Sequence, residues 1–328
     1  MLTVDHSEGK GEVADTGTQN GIVVSVNVSE RQGTSKQPVP EITIDEHGVV
    51  GDAHAGTWHR QVSLLASESI ERFSAESGRA FKSGEFAENI TTRGVNLLET
   101  TFLDRLRIGP AAEVEVTQLG KQCHGDGCAI FQEIGRCVMP KEGIFCRVIS
   151  GGFVKPGDPI VYVPRILQCR VITLSDRASQ GVYTDRSGPK ITQRLQEFAQ
   201  SRRWRPDVSA TLLPDDADML REELVAARDA GVQVVFTTGG TGIGPRDISP
   251  EVVAGLADKI IPGVMEHIRL KYGSEKPNAL LSRSIAAVLG QTLVYTLPGS
   301  VKAVDEYMGE ILKTLEHSIY MLRSIDTH

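Results

Sequence analysis

The sequence predicts two domains: a mainly β N-terminal domain of barrel or sandwich type, then an α/β domain with a largely parallel sheet. Three observations carry this. Apolar and polar residues alternate in steps of two through the first half, strands alternate with amphipathic helices after Pro164, and 328 residues suit two domains of ~100–200 residues each. Apolar residues make up 40% of the chain and charged residues 23%, a balance that excludes a disordered or fibrous protein.

Residues 1–20 are polar, acidic and Gly-rich, which reads as a tail rather than an export signal or anchor. The first domain is expected over 21–164. Its strands are predicted at Gly21–Val28, Ala112–Gln118, Ile144–Ile149 and Pro159–Val163, with one helix at Ser67–Glu76 that turns Ile70 and Phe73 inward and stops at Gly78. The second domain is expected over 165–328. Cys169–Leu174, Val208–Leu213 and Val232–Thr237 read as strands, Ser187–Gln200 and Ala217–Ala230 as helices. A last helix from Ser300 lines up Val304, Met308, Ile311, Leu315, Ile319 and Leu322.

Lys and Arg number 35 against 42 Asp and Glu, a net charge of −7 with no basic cluster, so nucleic acid is not an expected partner. No apolar run reaches the ~20 residues of a membrane span, and a cytoplasmic location is the expectation. Five cysteines, Cys123, Cys128, Cys137, Cys146 and Cys169, form no obvious disulfide framework. The spacing of Cys123 and Cys128 leaves two readings open: zinc binding, or a loop thiol at Cys123 whose pKa Lys121 or His124 lowers.

Thr237–Glu251, TTGGTGIGPRDISPE, follows a buried-type strand. Its glycines Gly239, Gly240, Gly242 and Gly244 let backbone N–H groups approach an anion, and Ser249-Pro250 reads as a cap opening a helix. Arg246 and Asp247 between them supply a cation and a potential metal-binding carboxylate. Ligands of open α/β sheets sit outside the carboxyl ends of the strands. Those ends carry Ser175-Asp176-Arg177, Pro214-Asp215-Asp216, the glycine loop and Leu297-Pro298-Gly299-Ser300. Carboxylates beside an anion-binding loop suit Mg²⁺ held against substrate phosphates.

These pieces resemble the molybdopterin adenylyltransferase family of molybdenum-cofactor biosynthesis. TLSDRASQGVYTDRSGP (173–189), LPDD (213–216), the glycine loop, PGVMEHIR (262–269), LLSRS (280–284) and LPGSVKAVDE (297–306) follow one another in family order. The resemblance implies transfer of AMP from ATP to molybdopterin with release of pyrophosphate. It places the two functional aspartates at Asp215 and Asp247, either of which would position Mg²⁺. The substrate site would comprise Ser175, Asp176, Gly239, Gly240, Thr241, Gly242, Arg246, Glu266, Ser282, Arg283, Pro298, Gly299 and Lys302, and the family suggests trimers through this half. The family's Pro after LPG-x is Val301 here.

The first half resembles a MOSC domain through GVVGDAHAGTWHRQVSLL (48–65), GEFAENITTRGVNL (84–97), VTQLGKQC (116–123) and GIFCRVISGGFVKPGDPI (143–160). This implies a β-barrel that binds molybdenum cofactor or handles sulfur through Cys123, with Asn89 and Arg93 among its contacts. His54, His59 and Arg60, near a glycine turn, read either as a phosphate or pterin site or as plain surface residues. The family's Pro before the cysteine is Gln122 here. Together the halves imply a molybdenum-cofactor protein acting with others of that biosynthesis. The alternative reading is a protein that binds or carries the cofactor without catalysis.

Overall fold

The computed structural model describes residues 20–120 and 137–325, and contacts divide the chain into two units between Pro164 and Arg165. The first unit contains β1 (Asn20–Val28), β2 (Gln37–Val39), β3 (Ile42–Asp45), β4 (Gly48–Val49), β5 (Val62–Ala66), β6 (Ile90–Arg93), β7 (Arg105–Ile108), β8 (Ala112–Leu119), β9 (Ile144–Ser150), β10 (Gly152–Val154) and β11 (Pro159–Val163). Seven of these close a barrel in the order β1, β11, β7, β8, β9, β5, β6 and back to β1. β2 extends the sheet beyond β1, and β10, β3 and β4 form a separate small sheet.

Alternation fills the barrel. Leu64 of β5, Leu106 and Ile108 of β7, and Val114 and Val116 of β8 are fully buried in one apolar cluster. In β1 the register against β6 shifts between Val23 and Ser25, a bulge that lets Val23 and Val26 both enter the core although they are three positions apart. Among the barrel pairings β5–β6 is parallel. A parallel pair needs a crossover, and the helix Ser67–Ser77 supplies it. That helix buries Ile70 and Phe73 and ends at Gly78 in the left-handed region, φ 69°. Phe73 meets Phe81 and Phe86 at centroid distances of 5.4 Å each, a second apolar cluster beside the barrel core.

The second unit contains β12 (Ile166–Leu174), β13 (Arg205–Leu213), β14 (Val234–Thr238), β15 (Lys259–Ile260), β16 (Ala286–Leu289) and β17 (Thr292–Leu297), in the spatial order β13-β12-β14-β17-β16-β15. The expectation of a largely parallel sheet is corrected: the sheet is mixed. β13, β12, β14 and β17 run parallel, whereas β16 runs antiparallel to β17, and β15 antiparallel to β16. Gly290 and Gln291 alone separate β16 from β17, with Gly290 at φ 59°, and so short a link can only build a hairpin.

Helices Ala217–Asp229 and Ser249–Leu256 bury Leu220, Leu224, Val252 and Val253 against Ile172, Val235 and Val294 of the sheet. Helix Ser187–Ser201 packs against Val301–Leu322, whose buried stripe includes Val304, Met308, Ile311, Leu315 and Ile319. The chain passes from β12 to β13 on one side and then to β14 on the other. This reversal marks where ligands enter such sheets, at the carboxyl ends of the strands. Among the described residues no helix is long and apolar enough to cross a membrane.

Candidate active site

β14 delivers the chain into Gly239, whose N–H donates to Leu297 O at 3.0 Å. Gly239 has φ 100°, and a Cβ there would lie 2.2 Å from Leu174 O, so only glycine lets the chain turn this close to β12. Ser249 is the first residue of its helix rather than its cap, a position taken by Ile248. Its hydroxyl, fully buried, donates to Gly239 O at 2.8 Å, and its N–H donates to Gly240 O at 3.0 Å. The carbonyl of Thr241 accepts from Arg283 N at 2.9 Å.

A trans peptide points the next N–H opposite to each carbonyl. Tying back the carbonyls of Gly239, Gly240 and Thr241 therefore turns the amides of Gly240, Thr241 and Gly242 the other way. Those three residues line a cavity of about 580 Å³, and no acceptor for their amides exists among the described residues. Successive amides presented by a glycine-rich turn make an anion-binding concavity.

The same cavity brings together Gly239, Asp247, Ser282, Pro298, Gly299 and Lys302 of the expected set. Asp247 Oδ2 accepts from Gly244 N at 2.8 Å, while Oδ1 has no hydrogen bond among the described residues. Ser282 Oγ accepts from Tyr307 Oη at 2.9 Å.

Other expected residues lie elsewhere. Asp176 and Asp215 bind one another's backbone: Asp176 N donates to Asp215 Oδ2 at 3.2 Å, and Asp215 N to Asp176 Oδ1 at 3.0 Å. Arg246 pairs with Asp176 and donates to Asp215 O at 3.4 Å. This cluster caps β12 and β13 on the same sheet edge, outside the cavity lining. Ser175 caps the short helix Asp176–Ser179, accepting from Ala178 N. Glu266 is exposed on helix Pro262–Gly273. The guanidinium of Arg283 turns to the loop's carbonyls and to Glu251.

Sequence reasoning missed Tyr272, Lys276, Asn278, Glu306 and Tyr307, all in the cavity wall. Lys276 pairs with Glu306, whose carboxylate raises the lysine pKa. The available signal was Lys276-Pro277-Asn278, a proline opening the 3₁₀ turn Pro277–Leu281 that runs into the LLSRS motif.

In the first unit, Lys36 and Asp52 form a buried ion pair, each side chain 1% exposed. His54 Nδ1 lies 3.3 Å from Asp52 Oδ1 and 3.3 Å from Lys36 Nζ. The indole N–H of Trp58 donates to His54 O at 2.8 Å, and the Arg60 guanidinium stacks over Trp58 at 4.5 Å, so one loop holds His54 and Arg60. Asn89 is buried, accepting from Ser63 N and donating to Asn27 O. Arg93 donates to Ser67 Oγ and pairs with Glu71. Cys123, Lys121, Gln122, His124 and Cys128 lie outside the described residues, and with them the zinc and thiol readings.

Glu88 is fully buried. Its Oε1 accepts from Gly84 N at 2.6 Å and Thr91 Oγ1 at 2.8 Å, while Oε2 has no partner. Burial pushes its carboxyl up, against these hydrogen bonds. A carboxyl raised on folding contributes stability that is fully present below the unfolded value of ~4.3 and is lost as pH climbs through the folded value. The first unit is expected to lose stability over that interval, and Glu88→Gln to flatten the loss, as read by melts of the full chain across pH 4–8.

Burial also pushes the Cys169 thiol up to about 12 and raises that of Cys146. Limited alkylation at neutral pH is expected to leave both unlabelled, with Cys123 reacting first on peptide mapping. Earlier labelling at Cys128 or Cys137 would remove Cys123 from the reactive role.

A family model described as a probable molybdopterin binding domain matches residues 170–317, and a MOSC domain model matches 51–161. The chain is 36% identical to gephyrin of Dictyostelium discoideum over 160 residues, 47% of this chain but 22% of that protein. It is 31% identical to a molybdopterin adenylyltransferase of Helicobacter pylori over 46% of this chain and 85% of that enzyme. Against the molybdopterin adenylyltransferase of Escherichia coli K12 it is 34% identical, over 43% of this chain and 71% of the enzyme. The chain thus spans only about a fifth of gephyrin but most of the two molybdopterin adenylyltransferases. Through its C-terminal unit the chain belongs to the molybdopterin adenylyltransferase family, and it carries a MOSC domain N-terminal to that unit.

Proposed function

We propose that the C-terminal unit transfers AMP from ATP onto the terminal phosphate of molybdopterin and releases pyrophosphate. The observation that supports this most is the row of three amides, Gly240 to Gly242, that have no acceptor among the described residues and face a cavity that also holds Asp247 and Lys302. An attacking phosphate and the α-phosphate of ATP repel one another, so a site for this reaction must neutralise charge and hold both in line. The loop amides take charge from phosphate oxygens, and Lys302 and Lys276 add cations along the same wall.

Asp247 Oδ1, without a hydrogen bond among the described residues, suits Mg²⁺, which uses one or two carboxylates together with substrate phosphates. When bound there, Mg²⁺ would supply charge neutralisation to those phosphates. Among the described residues no cluster of three His, Cys, Asp or Glu side chains forms a protein-only metal cage. Asp215, tied to Asp176 and bonded through its carbonyl to Arg246, orders the adjoining strand ends at the same sheet edge as the cavity. The barrel unit, by its MOSC resemblance, binds molybdenum cofactor or carries sulfur at Cys123, and the chain works in the cytoplasm as a trimer with other proteins of cofactor biosynthesis.

The test is pyrophosphate release by the full chain with ATP, Mg²⁺ and molybdopterin. Turnover dependent on molybdopterin supports the reading. Binding of both substrates without release would make the chain a cofactor-binding protein.

A further inference from the structure

Arg283 follows the 3₁₀ turn and reaches the glycine loop and the helix after it with its fork. Nε donates to Gly242 O at 2.5 Å and Nη2 to Asp247 O at 2.7 Å, while Nη1 pairs with Glu251 on the helix after the loop. Its own N–H holds Thr241 O at 2.9 Å. One residue therefore grips the loop at Thr241, Gly242 and Asp247.

The consequence follows from peptide geometry. Fixing the carbonyls of Thr241 and Gly242 orients the amides of Gly242 and Ile243 away from the arginine. Fixing the carbonyl of Asp247 sets where its side chain enters the cavity. The charge of Arg283 is met by Glu251, and its Nε and Nη2 donate to loop carbonyls.

Resting on the reading of this cavity as an AMP-transfer site, we propose that Arg283 is a positioning residue that presets the loop amides and Asp247 and does not itself bind phosphate. A planar fork with divergent donors makes these contacts at once; a lysine ammonium, a point charge, does not reproduce them. Lysine should therefore fail almost as badly as alanine.

The test compares the full chain with Arg283→Lys and Arg283→Ala in three measurements. Hydrogen exchange without ligand is expected to rise about tenfold or more over residues 240–247 in both variants, while β12 and β14 stay protected. Calorimetric binding of inorganic pyrophosphate is expected to weaken about tenfold in both. The kcat for AMP transfer is expected to fall about a hundredfold, the usual cost of misplacing reacting groups by an ångström. A phosphate-binding arginine gives another pattern: Lys keeps most of the pyrophosphate affinity, Ala loses it, and loop exchange is unchanged. That pattern overturns the proposal. If the wild-type chain shows no AMP transfer, the functional reading falls while exchange and pyrophosphate binding still decide the role of Arg283. If both variants lose protection in β12 and β14, Glu251→Gln, which removes only the ion pair, serves instead. It should speed exchange over 240–247 about threefold or more, and unchanged exchange there overturns the proposal.

Discussion

Asp247→Asn is expected to reduce AMP transfer about a thousandfold or more while leaving the melting temperature within a few degrees of the parent. The amide oxygen of Asn can still accept from Gly244 N, which Asp247 Oδ2 does at 2.8 Å, so the loop keeps its shape. The negative charge at the cavity wall is lost. An interaction made with transition-state charge contributes roughly 3–4 kcal/mol in such sites, and losing metal placement adds to it. Pyrophosphate release by the purified variant is the measurement. Turnover near that of the parent would remove Asp247 from the chemistry.

The largest stability effect is expected from Lys36→Met. Methionine matches the lysine stem in length, so packing survives, but Asp52 is left as a buried carboxylate without its cation. Breaking a buried pair in this way costs about 3–5 kcal/mol, enough to unfold a marginal domain. Burial alone would raise the Asp52 carboxyl. Hydrogen bonds from His54 and Lys36, together with the lysine's charge, outweigh it and hold the group well below the usual carboxylate range. A depressed carboxyl contributes stability present above its unfolded value of ~3.9 and lost as pH falls through the folded value. Acid titration of the parent should show that loss below about pH 4, and Lys36→Met should flatten the slope. A melt of the variant equal to the parent's at neutral pH would show that the pair carries no net stability.

The two expected effects come from sites of unequal visibility in the sequence. The glycine loop around Asp247 was legible because four glycines, an Arg-Asp pair and a Ser-Pro lie within one short stretch after an apolar strand. The long helical stripes were legible for the same local reason. What escaped depends on partners distant in sequence. Lys36 finds Asp52 only after the chain folds, and nothing around either residue announces a buried pair. Ser249 resembled a cap because Ser-Pro begins many helices, yet its hydroxyl serves Gly239 O across the turn. Arg283 entered the substrate site through the LLSRS motif, whereas its carbonyl partners are set by tertiary contact. Asn89 and Arg93 stand in a resemblance motif, but their hydrogen bonds run to Ser63, Asn27, Ser67 and Glu71. The mixed sheet escaped because the apolar runs of β16 and β17 are separated by a two-residue turn, which periodicity reads as one continuous strand.

Barrel closure has a consequence for how the chain emerges during synthesis. β1 begins at Asn20 and its seam partner β11 ends at Val163, with Asn20 opposite Val161. No set of strands shorter than the whole first unit completes the ring. Until β11 leaves the ribosome, β1 and β7 each lack a neighbour, and their open edges can pair with other chains. Closure between segments so far apart must meet its loop entropy before contacts reward it, so folding of this unit is slow for its size. The second unit is translated while that ring is still assembling. Aggregation during expression is therefore expected to rise with truncations that remove β11, more than with equal truncations at residue 20.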